Sequence, residues 1–394
     1  MAKIDFMAQA EAMREELVAR RRDFHQHPEL AFEEVRTAGI VAETLNELGL
    51  EVQTGIGKTG VVGILEGDSD GPTVLVRADM DALPIEEANQ TDYISQTPGK
   101  MHACGHDGHT TIGLGVAKLL SQHRDKIAGR IKFVFQPAEE IGQGARAMVT
   151  DGVMTNPKVD VSLGLHLWNS LPVGKVGVAE GPVMSAPSMF EITIKGKGGH
   201  GAMPNQTADP VVCAAQMIMA FQTIVSRNTD PLEQAVVSVA TVKAGTARNV
   251  IPDSATLAGT IRTFSVATRD IIDTRMREIA EHTAAAMNCE AIVNLMHGGD
   301  AVVNHPEATQ RVRAAFKKAG MSEENFLDER TMGSEDVGIF MTDVPGMYFF
   351  LGSSNDEKGL NYAHHHPRFD FDEDALPMGV ALLSAAIAEY IIPE

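Results

Sequence analysis

The densest group of residues that could support chemistry lies in Met101–Thr110, which reads MHACGHDGHT. It holds one thiol, three imidazoles and one carboxylate ahead of an apolar run. Only Gly105 separates Cys104 from His106, and glycine lets the backbone bend sharply enough for neighbouring side chains to face one ion. Thiolate and imidazole together suit zinc and similar divalent metals. The stretch therefore predicts part of a metal site whose remaining ligands come from elsewhere in the chain.

Two adjacent carboxylates, Glu139 and Glu140, follow the apolar run Arg130–Gln136, which is typical of a buried strand. Such pairs are usually solvated surface charge. A metal hydrolase, however, needs two carboxylate roles side by side, one as a ligand and one as the base that takes a proton from water. We therefore interpret the pair as part of the same site.

Further candidates stand near the ends of other predicted strands. Asp79 and Asp81 follow the strand-like run 73–77, at the carboxyl end, where open α/β sheets place their chemistry. His166 lies near the end of the next apolar run. Three consecutive histidines, His364–His366, precede the last predicted helix, and any one of them could complete the ligand set.

Hydrophobic periodicity predicts the elements that position these residues. Helices are predicted over residues 5–24, 33–48, 109–122, 307–319 and 375–390. Strands are predicted over residues 61–65, 73–77, 130–136, 159–168 and 346–351. The first helix is expected to end before Pro28, because the residue that precedes proline is disfavoured in the helical conformation.

Residues 188–297 show a different order of elements, namely strand, helix, two strands, helix and strand. The order β-α-β-β-α-β is a complete ferredoxin-like unit. Because the first pattern resumes afterwards, residues 187–297 are predicted to be an inserted domain. Residues 1–186 and 298–394 then form one discontinuous domain around it.

Length and composition limit the function classes. A chain of 394 residues is too long for one ordinary core and fits two domains. The formal net charge of −20 argues against nucleic acid or anionic membrane as partners, since both favour clusters of Lys and Arg. There is neither a signal-peptide core nor an apolar run of the ~20 residues that a membrane span needs. Three widely spaced cysteines, Cys104, Cys213 and Cys289, favour a reducing cytoplasm over a disulfide framework.

Nine motifs carry a resemblance to a known family, and they run through almost the whole chain in family order. They are RRDFHQHPEL, RADMDALP, MHACGHDGH, QPAEE, GLHLW, GKGGHGAMP, TARNVIPD, GTIRTF and HHPRFDFDEDALP. With them the chain is similar to the amidohydrolases of the aminoacylase-type metallopeptidases. That branch contains hippurate hydrolases, bacterial N-acyl-L-amino acid amidohydrolases and plant auxin-conjugate hydrolases.

The resemblance implies an α/β, two-domain fold, with a mixed-sheet catalytic domain of the metallo-exopeptidase type and an inserted ferredoxin-like lid and dimerisation domain. It implies two divalent ions, which could be zinc, manganese, cobalt or nickel, and a homodimer or higher homo-oligomer. The family pattern His-x-Pro-x-Phe selects His365 from the three consecutive histidines, and Cys104 takes the place of a bridging aspartate. The implied ligands are Cys104, His106, Glu140, His166 and His365.

Roles for other residues follow from the same resemblance. Glu139 is similar to the family's general base, and Asp81 resembles a carboxylate that orients a ligand. His200, in the inserted domain, is expected to approach the site, either of its own subunit or of the neighbouring one. Asn249 and Arg262 are the polar groups expected to contact substrate.

The expected activity is metal-dependent hydrolysis of the amide bond of N-acyl amino acids, such as hippurate-like or N-acetyl compounds. Dipeptidase and N-acetyl-diaminopimelate deacetylase activities stay open on the same scaffold, because no motif specifies the acyl group. Two remoter alternatives are a thiol hydrolase, with Cys104 as nucleophile and His106 or His109 as base, and a non-catalytic metal-binding protein. The carboxylates Glu139 and Asp81 disfavour the last alternative, because binding alone does not need them.

Overall fold

The computed structural model describes residues 4–393, which form two compact units. The first unit contains the residues up to 183, residues 302–330 and those from 335 onward. The second contains residues 184–301 and 331–334. The segment predicted as an insertion, 187–297, lies within the second unit, which extends a little beyond it at both ends.

The described residues contain the following helices and strands. The helices are α1 (Phe6–Glu11), α2 (Arg14–Gln26), α3 (Val35–Glu47), α4 (His106–Ser121), α5 (Gly144–Thr150), α6 (Pro210–Thr223), α7 (Val266–Ala286), α8 (Pro306–Lys318) and α9 (Ala375–Ile391). The strands are β1 (Glu51–Ile56), β2 (Gly60–Glu66), β3 (Ser69–Asp79), β4 (Ala128–Gln136), β5 (Val161–Pro172), β6 (Val176–Gly177), β7 (Gly181–Met184), β8 (Ala186–Lys195), β9 (Gly199–His200), β10 (Ala235–Ala244), β11 (Val250–Ile251), β12 (Ser254–Thr263), β13 (Glu290–His297), β14 (Val302–Asn304), β15 (Phe326–Leu327) and β16 (Gly346–Ser354). Within residues 4–393, no helix is long and apolar enough to cross a membrane.

Two predicted helix boundaries are wrong. The segment predicted as one helix over 5–24 is divided into α1 and α2, with a break at Ala12 and Met13. Helix α4 begins at His106 and not at His109, because Gly105 takes a left-handed conformation with φ of 88° and turns the chain directly into the helix. His106 therefore belongs to the first turn of α4.

The first unit is built on an eight-stranded mixed sheet with the order β1-β2-β4-β3-β5-β16-β6-β15. Its four central strands, β4, β3, β5 and β16, are parallel to one another. Parallel strands place their carboxyl ends at the same edge of the sheet, which is where such sheets carry their chemistry. The predicted α/β class with a large mixed sheet is confirmed.

Both the central strands and the helices beside them are apolar because parallel sheets are covered on their two faces. Every residue of β16 is buried, and so are nearly all residues of α4 and α9. Phe133 and Phe135 of β4 pack in the same core as Phe349 of β16. This rigid core fixes the strand ends that carry the candidate site.

The second unit has the four-stranded antiparallel sheet order β10-β12-β8-β13. Strand β8 alternates buried and exposed side chains, with Phe190, Ile192 and Ile194 pointing into the core. Helices α6 and α7 contribute to the same core, and α7 does so at every fourth residue, through Ile272 and Met276 onward. With its β-α-β-β-α-β connectivity, this is the ferredoxin-like topology.

Candidate metal centre

The five residues predicted as ligands lie together at the carboxyl edge of the central strands of the first unit. Their ligand atoms form two groups, and within each group the atoms lie within 4.8 Å of one another. The groups are Cys104, His106 and His166, and Cys104, Glu140 and His365. Cys104 is common to both groups, so its sulfur stands between two possible ion positions.

The ring of His106 is oriented as a metal-ligating imidazole usually is. Its Nδ1–H donates to the backbone carbonyl of Asp81 at 2.8 Å. Its Nε2 is buried, has no hydrogen-bond partner within residues 4–393, and lies 3.9 Å from an oxygen of each of Glu139 and Glu140. Burial lowers the pKa of His106, but the charge of Asp79 and its other acidic neighbours outweighs burial and raises the pKa to about 10. The surroundings of Nε2 therefore favour a cation.

His166 is held in the same way on β5. Its Nδ1–H donates to the carbonyl of Leu167 at 2.6 Å, which leaves the Nε2 lone pair 3.7 Å from the sulfur of Cys104. A sulfur and a nitrogen that bind one tetrahedral zinc ion, at about 2.3 and 2.0 Å, lie about 3.5 Å apart. Burial holds the pKa of His166 well below its usual value, so the ring stays in the neutral form that binds metal.

The thiol of Cys104 is ill suited to act as a nucleophile without a cation beside it. Burial and the charges of Glu140 and Glu139 raise the pKa of Cys104 well above its usual value. A nucleophilic cysteine needs the opposite shift. A divalent ion at this position would supply the charge that a thiolate needs, so the donor set fits a metal.

Among the three consecutive histidines, His365 faces the candidate centre. Its Nε2 lies 3.4 Å from an oxygen of Glu140, and its backbone takes a left-handed conformation with φ of 65°. One nitrogen of each neighbouring ring is engaged elsewhere, since Nε2 of His364 accepts the N–H of Asn169 at 3.2 Å and Nδ1 of His366 accepts a backbone N–H. The left-handed backbone of His365 is strained, because the residue is not glycine, and strain of this kind is concentrated at functional sites.

The pair Glu139 and Glu140 belongs to a crowded group of acids. The carboxylate oxygens of Glu139, Glu335 and Asp336 lie within 4.8 Å of one another. Burial, followed by the charge of Glu335, raises the pKa of Glu139 well above its usual value, and burial raises the pKa of Glu140 to about 7. The sequence analysis missed Glu335 and Asp336, although an acidic pair directly before an apolar run was a visible signal.

Arg77 is the buried cation that partly balances these acids. Its guanidinium donates to Glu335 at 2.7 and 3.2 Å, to Gln136 at 2.7 Å and to the hydroxyl of Tyr348 at 3.1 Å. It also forms an ion pair with Asp79. Sequence reasoning missed this residue as well, and its signal was a charged side chain within the apolar strand β3.

Asp81 connects the strand end to both glutamates. Its two carboxylate oxygens accept the backbone N–H groups of Glu139 and Glu140, each at 3.0 Å. Its own carbonyl accepts the hydrogen bond from His106. One aspartate therefore fixes the backbone of two candidate acids and the ring orientation of a candidate ligand.

The three other predicted site residues lie in the second unit, at two separate places. His200 on β9 and Asn249 beside β11 are neighbours, because these strands pair with each other next to Asp253. Arg262 lies near the far end of β12, eight residues beyond Ser254. At about 3.4 Å per residue, this separation is about 27 Å along the strand.

Residues 75–389 match the model of the family described as peptidase family M20/M25/M40. The chain belongs to this family. The M20/M25/M40 chain is 41% identical to thermostable carboxypeptidase 2 of Saccharolobus solfataricus, a match that covers 93% of each chain. It is also 41% identical to N-acetylcysteine deacetylase of Bacillus subtilis, over 91% of this chain and 93% of that one.

A solved Bacillus subtilis structure, described as a dinuclear metal binding peptidase of the M20 family, is similar to this M20/M25/M40 chain with a TM-score of 0.83. The identity is 36%, and the match covers 97% of this chain and 100% of the other. The predicted family and the predicted class, a metal-dependent hydrolase that acts on amide or peptide bonds, are confirmed.

Proposed function

We propose that this chain hydrolyses the amide bond of N-acyl amino acids and releases a carboxylic acid and a free amino acid. The observation that carries the proposal is the convergence of two possible ligand groups on Cys104, with Glu139 beside them. The relative that is named an N-acetylcysteine deacetylase supports a substrate of this class.

We assign two divalent ions, zinc, manganese, cobalt or nickel, to the ligands Cys104, His106, Glu140, His166 and His365. When bound, such ions supply Lewis-acid polarisation of the amide carbonyl and make water more acidic. The similar dinuclear peptidase from Bacillus subtilis supports the number of ions. Cys104 would hold both ions, because it belongs to both ligand groups.

Glu139 is the proposed general base. Burial and neighbouring acids raise the pKa of Glu139, so its carboxylate has a strong tendency to take a proton from the attacking water. The same carboxyl then returns that proton to the leaving nitrogen. Asp81 keeps the base in place, since it accepts the N–H groups of Glu139 and Glu140.

His200 is the proposed hydrogen-bond donor to the oxyanion. Its Nδ1 accepts the N–H of Ala202 at 3.0 Å, so the exposed Nε2 carries the ring hydrogen and can donate. One well-placed donor of this kind contributes about 3 to 4 kcal/mol to the transition state. Arg262 is the proposed partner of the substrate carboxylate, since its planar guanidinium binds carboxylates well.

The separation of His200 from Arg262 in the second unit favours a site that two subunits share. His200 pairs with Val250 just ahead of β12, whereas Arg262 lies about 27 Å beyond Ser254 along that strand, a length far greater than that of an N-acyl amino acid. One copy of this unit therefore cannot supply both groups to the same substrate. We propose a homodimer in which His200, with its neighbour Asn249, and Arg262 reach a given site from different subunits.

A peptide substrate is the second candidate, because a relative of equal identity is named a carboxypeptidase. The thiol-hydrolase alternative is disfavoured by the raised pKa of Cys104 and by the engagement of both nitrogens of His109 in other hydrogen bonds. We also propose the cytoplasm as the location, because all three cysteines are free thiols.

The test is to strip the protein of metal, reconstitute it with each candidate ion, and assay N-acetyl and N-benzoyl amino acids beside dipeptides. We expect metal-dependent release of free amino acid, fastest with N-acyl substrates. Glu139→Gln is expected to keep its bound metal and to lose at least about 10²-fold in kcat. Near-normal turnover of metal-loaded E139Q would disprove the assignment of the base, and faster cleavage of dipeptides would favour the second candidate.

The shared site is tested by coexpression of E139Q with His200→Ala under different affinity tags. If His200 acts on the partner, each mixed dimer has one site with both defects and one intact site. Two nearly inactive variants are then expected to give mixed dimers with about half of the parent activity. Mixed dimers as inactive as E139Q and H200A themselves would show that His200 serves its own chain.

A further inference from the structure

His109 is the third imidazole of MHACGHDGHT, and the proposed ligand set leaves it without a role. It is buried, and both of its nitrogens are hydrogen bonded within the first unit. Nε2 accepts the backbone N–H of Leu167 at 2.8 Å, so the ring hydrogen is on Nδ1. Nδ1–H donates to a carboxylate oxygen of Asp79 at 2.6 Å. The ring therefore has no free lone pair with which to bind a metal.

The residue that His109 holds, Leu167, also orients a proposed ligand through its other peptide group. The N–H of Leu167 donates to His109, and the carbonyl of the same residue accepts Nδ1–H of His166 at 2.6 Å. The rings of His109 and His166 lie 4.7 Å apart in an edge-to-face arrangement. Fixing Leu167 therefore fixes the direction in which Nε2 of His166 points.

The far side of His109 is anchored just as firmly. The second oxygen of Asp79 forms an ion pair with the fully buried guanidinium of Arg77. A chain of one ion pair and two hydrogen bonds thus runs from Arg77 through Asp79 and His109 to the backbone of Leu167, and it joins β3, α4 and β5. Every side chain in it is at most 2% exposed, so water does not compete for these bonds.

We propose that His109 is a positioning residue of the metal centre, which holds Leu167 so that His166 presents Nε2 to the ion beside Cys104. This inference rests on the proposed metal-dependent function. Removing a hydrogen-bonded group that orients a metal-ligating histidine typically weakens metal affinity 10- to 100-fold. If the N–H of Leu167 has no acceptor, we therefore expect one of the two ions to bind about 10- to 100-fold more weakly.

Two substitutions at this position separate the acceptor from the bulk of the ring. In His109→Asn, the amide nitrogen can replace Nδ1 and donate to Asp79, but no atom reaches Leu167. In His109→Gln, the amide oxygen can take the place of Nε2 and accept the N–H of Leu167. Thr110→Val is the matched control, because it removes a buried hydrogen bond of the same helix to the carbonyl of Asp79 without touching Leu167.

The measurement is zinc and cobalt affinity and stoichiometry, by competition with a chromophoric chelator, together with the cobalt–thiolate absorption band of Cys104. Circular dichroism checks that each variant is folded. We expect H109N to bind one ion about 10- to 100-fold more weakly. H109Q and T110V are expected to stay within a few-fold of the parent.

Parent-like affinity of H109N for both ions would overturn the proposal, and so would equal losses in H109N and T110V. If H109N does not fold, H109Q decides alone. A folded H109Q that loses tenfold or more in metal affinity contradicts the role of His109 as acceptor for the N–H of Leu167. A parent protein that binds no metal would instead refute the proposed function, so the two failures are distinguishable.

Discussion

His25 offers a direct test of the buried charges that support the first unit. It lies on α2, fully buried, with Nδ1 at 2.8 Å from Asp107 and Nε2 at 3.1 Å from Glu87. Burial and the nearby charge of Arg21 lower the pKa of His25, but hydrogen bonds to Asp107 and Glu87 outweigh both and raise it to about 9. The side chain is therefore a buried cation at neutral pH, and His25→Gln removes that charge with little change in volume.

The magnitude follows from linkage between protonation and folding. The pKa of His25 rises from an ordinary 6.5 to about 9, a difference of about 2.5 units at 1.36 kcal/mol each, or about 3 kcal/mol. Because the folded pKa is the higher one, this stabilisation is fully present below pH 6.5. It is lost as the pH rises through 9.

The assay is urea unfolding at pH 6 and pH 10, followed by fluorescence of Trp168, the single tryptophan of the chain, which lies in the first unit. We expect H25Q to be destabilised by about 3 kcal/mol more at pH 6 than at pH 10. His282→Gln, which removes an exposed imidazole of α7 in the second unit, is the control. An equal effect of H25Q at both pH values would refute the reasoning.

Four further substitutions test the centre and the fold around it. Asp81→Ala leaves two buried backbone N–H groups without an acceptor, so we expect about 4 kcal/mol lower stability in urea unfolding, and no loss would contradict that role. Cys104→Ser should weaken the binding of both ions in metal analysis, since the sulfur belongs to both ligand groups. Loss of one ion alone would argue against a sulfur that both ions share. In Gly144→Ala the new Cβ would stand 1.5 Å from the carbonyl oxygen of Pro137, so we expect lower stability and a fall of about 1 °C in Tm for each kcal/mol lost. Gly39→Ala, in open space within a helix, should instead stabilise the protein by about 0.5 to 1 kcal/mol. Scanning calorimetry of both glycine variants measures these effects.

Much of the candidate site follows from local sequence patterns. The strands that end at Asp79 and Gln136 are apolar runs, and chain order alone suggests that their carboxyl ends meet. The pattern could not show that α4 starts at His106, because that depends on the left-handed turn at Gly105. Nor could it separate His365 from its neighbours, since the choice depends on a backbone angle and on the position of Glu140.

Long-range pairing is the part that no local pattern contains. Arg77 and Glu335 lie 258 residues apart in the chain, yet their side chains form a buried two-bond pair. Periodicity assigns each residue to an element, but it does not specify which distant charge compensates a buried one. His109 shows the same limit, since its type suggested a ligand or a base and only its two hydrogen bonds exclude both roles.

The charge balance of the centre explains why this fold tolerates so many buried acids. Arg77 faces Asp79, Glu335 and Asp336 together, so one guanidinium serves several carboxylates. Burial, together with the acidic charge that Arg77 does not balance, raises the pKa of Glu140 and of Asp336, each to about 7. A buried charge without a partner is costly, and a further cation beside these acids is the ring of His106, whose pKa the acids raise to about 10. Divalent ions would supply the missing positive charge, so the excess of acid that costs stability in the protein alone also provides the affinity of the centre for its metals.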